Sequence, residues 1–526
     1  MDERRTVIGV LGTSTWVPDA LRDTGHDVVQ SEDLDALVRA DIVIDTTPDV
    51  APEKAALLQR LDAVCPLETL LVPVVFTSSV EQLAALSGRP SHVVGLRVPL
   101  PPPAGGGAEL LLTPMTSAAS ASRAARLLDS LGLTPLSLGA GVASAARELV
   151  FGYLNRAAAL AEEGYASRSD IDTAMRLGCG LPAGPLELLD RIGLDVAQDV
   201  LVDLMDRTGD KSFHPTGLLR ELAEAGRGFR EDPAESFGQR DSTDAAVRRV
   251  GVVGAGTMAC GIAEVAASAG IDTVLVARDA AKASRALDTV QASLTKSVRR
   301  GRISAETKQA ALDRLSTVDD VSALSSCDLV IEAVAENTAV KRAVFGSLDR
   351  VCKPGAVLAT TTSSLPVSMC AEATSRPESV VGLHFFNPAP AMKLVELAFT
   401  DATGSHAARV ARAFCAQTGK TSVDCHDRAG FIVNFLLFPY LSRAIGLLER
   451  GVSVAELDAA VEAGFGYPMG PFKLLDTIGL DVSLAIQRRL YDTFGTAEHE
   501  PSPVLEAMVA AGWLGRKNGR GFTVAP

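Results

Sequence analysis

The stretch RRVGVVGAGTMACGIAEVAASAG, residues 248–270, sets the fold of half this chain. An apolar run, VGVV, reads as a strand and ends at Gly254-Ala255-Gly256, and an Ala-rich helical segment follows directly. Strand, glycine turn and helix in that order is the context a dinucleotide fingerprint needs. Gly254 permits the tight turn, and Gly256 lets the backbone approach a pyrophosphate. That group would sit at Thr257 and Met258 on the helix N-terminus, where unpaired N–H groups and the dipole favour negative charge. Ala259 takes the third glycine position, which governs helix–strand packing. The next strand, TVLVA at 273–277, ends without the acid that would bind both ribose hydroxyls of NAD. Ala277 and Arg278 stand there, with Asp279 one step later, and a small residue followed by Arg suits the 2′-phosphate of NADP. The alternative is that Asp279 reaches the ribose and Arg278 faces solvent.

Outward from this turn, the chain repeats itself. GPLELLDRIGLD at 184–195 returns as GPFKLLDTIGLD at 470–481. Upstream, ADIVIDTTPD (40–49) answers CDLVIEAVAE (327–336), and VVGLRVPLP (93–101) answers VVGLHFFNP (380–388). A period this long reads as duplication and fusion of a two-domain unit, not a stacked solenoid. Residues 1–145 alternate short apolar strands (TVIGVL 6–11, HDVV 26–29, IVID 42–45, LLVPVVF 70–76) with helical segments, which predicts a doubly wound parallel sheet. PLPPPAGGG at 99–107 predicts an irregular loop. Helical periodicity takes over across 146–225, and 226–247 reads as a linker. A second α/β domain is expected over 248–430 and a second helical domain over 431–526. The expected fold is an α/β Rossmann-type domain plus an all-α helical domain, the pair duplicated within one chain.

Composition narrows the function classes. Apolar residues make up 47%, yet no run reaches the roughly 18 residues that span a bilayer. The formal net charge of −14 argues against nucleic acid as the main partner. Eight cysteines lack CxxC spacing, and the adjacent Cys425 and His426 make no metal site. Reduced thiols, and an N-terminus (MDERRTVIGVLG) without a signal-peptide pattern, predict a cytoplasmic location.

HFFNP at 384–388 follows the apolar strand VVGL, and Glu396 lies in MKLVEL beyond it. A histidine at a strand end backed by a carboxylate is the layout of a general base held in one tautomer. By itself the pair would be weak evidence, because lone histidines are more often structural. SLTKSVRRGR (293–302) places Ser293, Lys296, Arg299, Arg300 and Arg302 on a helix and its end. The bland reading of that segment is a solvated basic face.

The motifs together carry more. GAGTMACGIA (254–263), DLVIEAVAEN (328–337), TTSSL (361–365), HFFNPAPAMKLVEL (384–397), GFIVNFLLFPY (430–440), GYPMGPFKLLDTIGLD (466–481) and GRKNGRGF (515–522) resemble the L-3-hydroxyacyl-CoA dehydrogenase family in order and spacing, over about 248–526. The resemblance implies reversible hydride transfer between NAD(P) and C3 of a 3-hydroxyacyl-CoA. It implies His384 as acid/base, Glu396 as its orienting partner, and Ser363 and Asn434 as hydrogen-bonding the C3 oxygen. Glu332, Lys341, Asn387 and Lys517 match positions that line the cofactor site beside the glycine turn. The basic helix, Ser293 and Arg300 included, matches the segment that holds the phosphate end of CoA. Three departures stand out. Ala277-Arg278 replaces the strand-end acid, so the resemblance favours NAD while these residues favour NADP. Thr361 replaces an Asn before TSS, and Phe435 replaces an Arg after the Asn of GFIVN. None of the three removes a proton-transfer group.

The first copy has lost what the second keeps. Gly12 matches Gly254 at an offset of 242 and Asp45 matches Glu332 at 287, so about 45 residues are missing between them, including the basic hairpin. At the later offset His384 becomes Arg97, Asn434 becomes Arg147 and Asn387 becomes Leu100, while Glu109 stays opposite Glu396. GVLGTSTW keeps Gly9 and Gly12 but lacks GxG. This copy is expected to be silent. Its helical segment is expected to cover the apolar face LLFPYLSRAIGLL of the second copy as an intramolecular pseudo-dimer; a homodimer of whole chains fits as well. Two other functions fit less well. The intact His384–Glu396 pair argues against a non-catalytic acyl-CoA-binding scaffold. The basic helix argues against a dehydrogenase for a carrier-bound or sugar-acid substrate.

Overall fold

In the second copy, eight strands form one sheet in the order Leu315–Val318, Asp272–Val276, Arg249–Val253, Leu329–Glu332, Val357–Thr360, Val380–Phe385, Leu394–Phe399, Thr421–His426. The computed structural model describes residues 5–524 apart from 13–15, 23, 50, 76–77, 99–106, 137–139 and 231–245. Every pairing in this sheet is parallel except Val380–Phe385 with Leu394–Phe399. That single reversal sets His384 directly opposite Glu396, where side chains on one face of a sheet meet.

The first copy has the expected parallel sheet in its first four strands, set off from a smaller second sheet. Four parallel strands, in the order Asp27–Ser31, Val7–Leu11, Ile42–Asp45, Leu70–Pro73, form one sheet. Gly95–Arg97, Gly107–Leu111 and Thr134–Leu136 form a second, whose first pair is antiparallel. The strand expected over 70–76 stops at Pro73, which has no N–H for a ladder. Only the isolated bridges Leu71–Val93 and Val74–Leu96 continue toward the second sheet. Both copies have a short 3-10 turn before the third strand, Leu34–Leu37 and Val321–Leu324, but only the second copy has the helices Ala280–Arg299 and Ala305–Asp313 and the edge strand Leu315–Val318 ahead of it, among the described residues. The deletion therefore removes a helical hairpin and a strand together. Residues 99–106 of the expected loop, with Leu100, lie outside the described residues.

The repeated GP–LLD–IG segment has a packing reason at each letter. Asp172 accepts hydrogen bonds from the Leu186 and Glu187 amides at the start of Pro185–Ile192, and Asp458 does the same for Phe472 and Lys473 at the start of Pro471–Ile478. Each caps orphan N–H groups. A Cβ on Gly184 or Gly470 would collide with those aspartates, so glycine precedes the proline. Gly193 (φ +96°) and Gly479 (φ +101°) break one helix into the next. The Asp of LLD catches the returning chain. Asp190 accepts from the Phe229 and Arg230 amides, and Asp476 from those of Phe522 and Thr523. Residues 226–230, read above as the start of a linker, are thus docked on the helical unit with Phe229 fully buried. Residues 231–245 of that linker lie outside the described residues.

The two helical units pack on each other. Helix Ala140–Glu162 lies against Val433–Glu449 in one shared apolar core, with Tyr153 edge-on to Tyr440. Arginines reach across in both directions. Arg443 donates to Asp210 and Ser212, and Arg156 pairs with Glu498. Each unit also covers the other copy's sheet. Helix Arg168–Cys179 lies on Leu394–Phe399 and Thr421–His426, and helix Val454–Phe465 lies on Gly107–Leu111. The expected intramolecular packing is present, and it brings first-copy residues against the strand that carries Glu396.

Candidate active site

His384 Nδ1 lies 2.5 Å from Glu396 Oε2. The other carboxylate oxygen accepts the Ile432 and Val433 amides, at 3.0 and 2.8 Å, at the N-terminus of helix Val433–Glu449. Strand pairing and a helix end thus fix both oxygens, and the helix dipole favours the charged carboxylate. With Nδ1 engaged, Nε2 is the ring nitrogen left for proton exchange. The imidazole packs against Phe386 and Phe431. Phe431 has φ +47°, the only positive φ among described non-glycine residues, a conformation that is costly for a bulky side chain. Sequence reading did not single out Phe431. A Gly-Phe step before the helix carries no signal that the phenylalanine, and not only Gly430, takes a left-handed conformation.

Asn434 is buried one residue into the same helix. Ser363 lies on the turn after strand Val357–Thr360, half-buried, and its amide donates to Glu336. Glu336 organises that whole turn. It accepts from Thr362 Oγ1 at 2.5 Å, from the Ser363 and Ser364 amides, and from Lys341 Nζ, 3.2 Å away. The sequence reading quoted Glu336 in DLVIEAVAEN and gave it no role, because its partners lie 26–28 residues away in TTSSL.

Glu332 and Lys341, expected at the cofactor surface, are both fully buried against each other, with Lys341 Nζ 2.9 Å from both carboxylate oxygens. Burial pulls the ammonium down, but Glu332 and Glu336 outweigh it and hold Lys341 above its ordinary value. The first copy keeps the same pair. Lys54 lies 2.8 Å from Asp45, both fully buried.

The glycine turn suits a dinucleotide. Gly254 has φ +132°, and a Cβ there would sit 2.4 Å from the Ala333 carbonyl oxygen. Gly256 has no heavy atom within 4 Å of a built Cβ, so its backbone is open, and Thr257 beside it is exposed. Met258 is half-buried behind it, and Asn387 is exposed. Lys517 lies in the helical unit's last segment. Its ammonium pairs with Asp481 in the helical unit, at 2.7 Å. Arg300 is exposed at the end of the basic helix Ala280–Arg299. Ser293 is half-buried on the same helix, near Glu264, whose carboxyl burial raises.

In the first copy the equivalent pair is a salt bridge. Arg97 stands opposite Glu109 and donates to it at 2.7 Å. Burial lowers Arg147 to about 10, against the pull of Asp203. A guanidinium has no basic nitrogen to offer at neutral pH, so this site cannot exchange a proton as His384 can.

Family models match both copies. The NAD binding domain of 3-hydroxyacyl-CoA dehydrogenase matches residues 17–140 and 249–428, and the C-terminal domain of 3-hydroxyacyl-CoA dehydrogenase matches 145–236 and 430–525. The chain belongs to the 3-hydroxyacyl-CoA dehydrogenase family. A 3-hydroxybutyryl-CoA dehydrogenase of Mycobacterium tuberculosis is 45% identical over 280 residues, 53% of this chain and 98% of that one. The human mitochondrial hydroxyacyl-coenzyme A dehydrogenase is 40% identical over 52% of this chain and 90% of its own length. The crystal structure of M. tuberculosis FadB2 is similar with a TM-score of 0.52 at 44% identity, covering 54% of this chain and all of that one. These single-copy relatives cover about half of this chain, as a duplicated member of the 3-hydroxyacyl-CoA dehydrogenase family requires. Among the described residues no cluster of His, Cys, Asp or Glu suits a metal, and no helix is long and apolar enough to cross a membrane.

Proposed function

We propose that the chain is an (S)-3-hydroxyacyl-CoA dehydrogenase of acyl-CoA metabolism, with one working site in its second copy. The observation that carries this reading is the 2.5 Å contact between His384 and Glu396, with Glu396 seated on a helix N-terminus. His384 is the acid/base. In oxidation its Nε2 takes the proton of the C3 hydroxyl, and in reduction it returns that proton. Glu396 holds the ring in the tautomer that leaves Nε2 free and stabilises the imidazolium that forms. Asn434 and Ser363 hydrogen-bond the C3 oxygen and hold it at Nε2. When bound, the nicotinamide nucleotide supplies the hydride acceptor or donor. Gly254, Gly256, Thr257 and Met258 receive its pyrophosphate, and Asn387 lines the same site. Glu332 and Lys341 shape the turn through Glu336 without touching the nucleotide. Lys296, Arg299 and Arg300 face the phosphates of CoA, on a helix where Lys296 and Arg299 line an open groove with Asp288 and Gln291. The test is reduction of acetoacetyl-CoA by NADH and NADPH, followed as loss of nicotinamide absorbance. Binding of CoA esters without turnover would sink this reading in favour of a non-catalytic binder.

A further inference from the structure

Resting on the dehydrogenase reading, we infer that this chain selects NADP(H) over NAD(H), and that Arg278 is the selecting residue. The strand end that carries Arg278 is bound to the glycine turn, with the Gly254 amide donating to the Val276 carbonyl at 2.9 Å. Whatever follows Val276 therefore stands beside the adenosine ribose of a nucleotide whose pyrophosphate occupies that turn. Two residues follow. Ala277 is 4% exposed and packed in the core. It offers no carboxylate to the ribose diol that distinguishes NAD. Arg278 projects into solvent, with 80% of its side chain exposed. Its nearest acid, Asp279, stands 3.8 Å from Nε.

Asp279 is the one residue that could rescue NAD binding, and it is already engaged. Its Oδ1 accepts the Lys282 amide at 2.8 Å and caps the helix Ala280–Arg299. Turning that carboxylate to a ribose would strip the cap from a 20-residue helix. The guanidinium, by contrast, is charged at any working pH, and its planar fork matches phosphate oxygens. The site thus withholds the group NAD needs and presents the one a 2′-phosphate needs. Charge-assisted hydrogen bonds of this kind correspond to about 10- to 100-fold in affinity.

The experiment is calorimetric titration of the full-length protein with NADPH and with NADH, without acyl substrate. The expected result is NADPH binding about 10-fold or more tighter, with the ratio shrinking as salt is added. Arg278→Ala should bring the two affinities within about threefold of each other, and Ala277→Asp should turn the preference toward NADH. Since Arg278 is exposed, its removal leaves the fold intact. Equal or tighter binding of NADH by the unaltered protein overturns the inference, and so does an Arg278→Ala variant that weakens both nucleotides alike. Binding of neither nucleotide overturns it together with the dehydrogenase reading. NADPH selectivity without acetoacetyl-CoA reduction sinks the dehydrogenase reading alone and supports the selectivity.

Discussion

Gly178 belongs to the silent copy, yet a side chain there should slow the working one. A Cβ on Gly178 would lie 2.9 Å from Val433 Cγ2 and 3.1 Å from Leu394 Cδ2, where carbon atoms prefer roughly 3.5–4.0 Å. Val433 gives its amide to Glu396, and Leu394 opens the strand that carries Glu396. Two effects compete in Gly178→Ala. Replacing a helical glycine stabilises by about 0.5–1 kcal/mol, while overpacking costs about 1–3 kcal/mol. Gly178→Ala should therefore lose about 0–2.5 kcal/mol. Gly178→Val gains less from helix propensity and adds two more carbons, so it should lose about 1–3 kcal/mol. The catalytic effect is separate. Restoring normal contact requires a shift of about half an ångström at the helix end that seats Glu396. A misplacement of about 1 Å costs on the order of 100-fold in rate, so half of that corresponds to about 10-fold in kcat. Steady-state reduction of acetoacetyl-CoA, with thermal melting and NAD(P)H titration alongside, separates the terms. The expected outcome for Gly178→Val is a folded protein with normal nucleotide affinity and a kcat lowered about 10-fold. A folded Gly178→Val enzyme with kcat within about twofold of the parent would refute the claim that the silent half seats the catalytic pair.

Four further outcomes are expected. His384→Ala should lose roughly 10²–10⁴ in kcat, measured in the same assay. Arg97→Ala should leave turnover as it is and lower the melting temperature, because Glu109 stays buried without its cation, at about 1–3 kcal/mol. Lys54→Met and Lys341→Met should each destabilise by about 3–5 kcal/mol in denaturant titrations, because each strands a buried carboxylate; loss of nucleotide affinity without loss of stability in Lys341→Met would refute a structural role. Burial, with Arg156 and Arg428 nearby, lowers His499 to about 4. Between the unfolded value of about 6.5 and that point the unfolded chain binds the extra proton, so stability at this group falls as pH falls through the window. His499→Gln should flatten that slope in urea midpoints measured from pH 7 to 4.5.

Much of the working copy was readable in the chain. The 248–270 segment and the HFFNP-to-Glu396 spacing rest on local rules of periodicity, glycine geometry and strand termini, and the structure bears out the strands and the histidine–glutamate contact. The loss of the histidine from the first copy was readable too, and Arg97 stands opposite Glu109 in its place. The burial of Glu332 against Lys341 was not readable. Sequence matching placed them near the cofactor, but whether a charged pair faces a ligand or the core depends on what packs over it. The docking of 226–230 was equally hidden, because its glycines read as linker until Asp190 is seen to receive the Phe229 amide.

The sequence by itself determined a duplicated α/β-plus-helical unit, a Gly254-Ala255-Gly256 turn after a strand, a histidine spaced to a glutamate, and one copy that lacks both. Those follow from residue type and short-range spacing. Only the tertiary structure decided how the two copies depend on each other. The shared core between Ala140–Glu162 and Val433–Glu449 joins the halves, and the first copy's Arg168–Cys179 helix closes over the Glu396 strand. Contacts between residues more than two hundred positions apart leave no periodicity in either segment, since each apolar face is equally consistent with several partners until the chain closes around one of them.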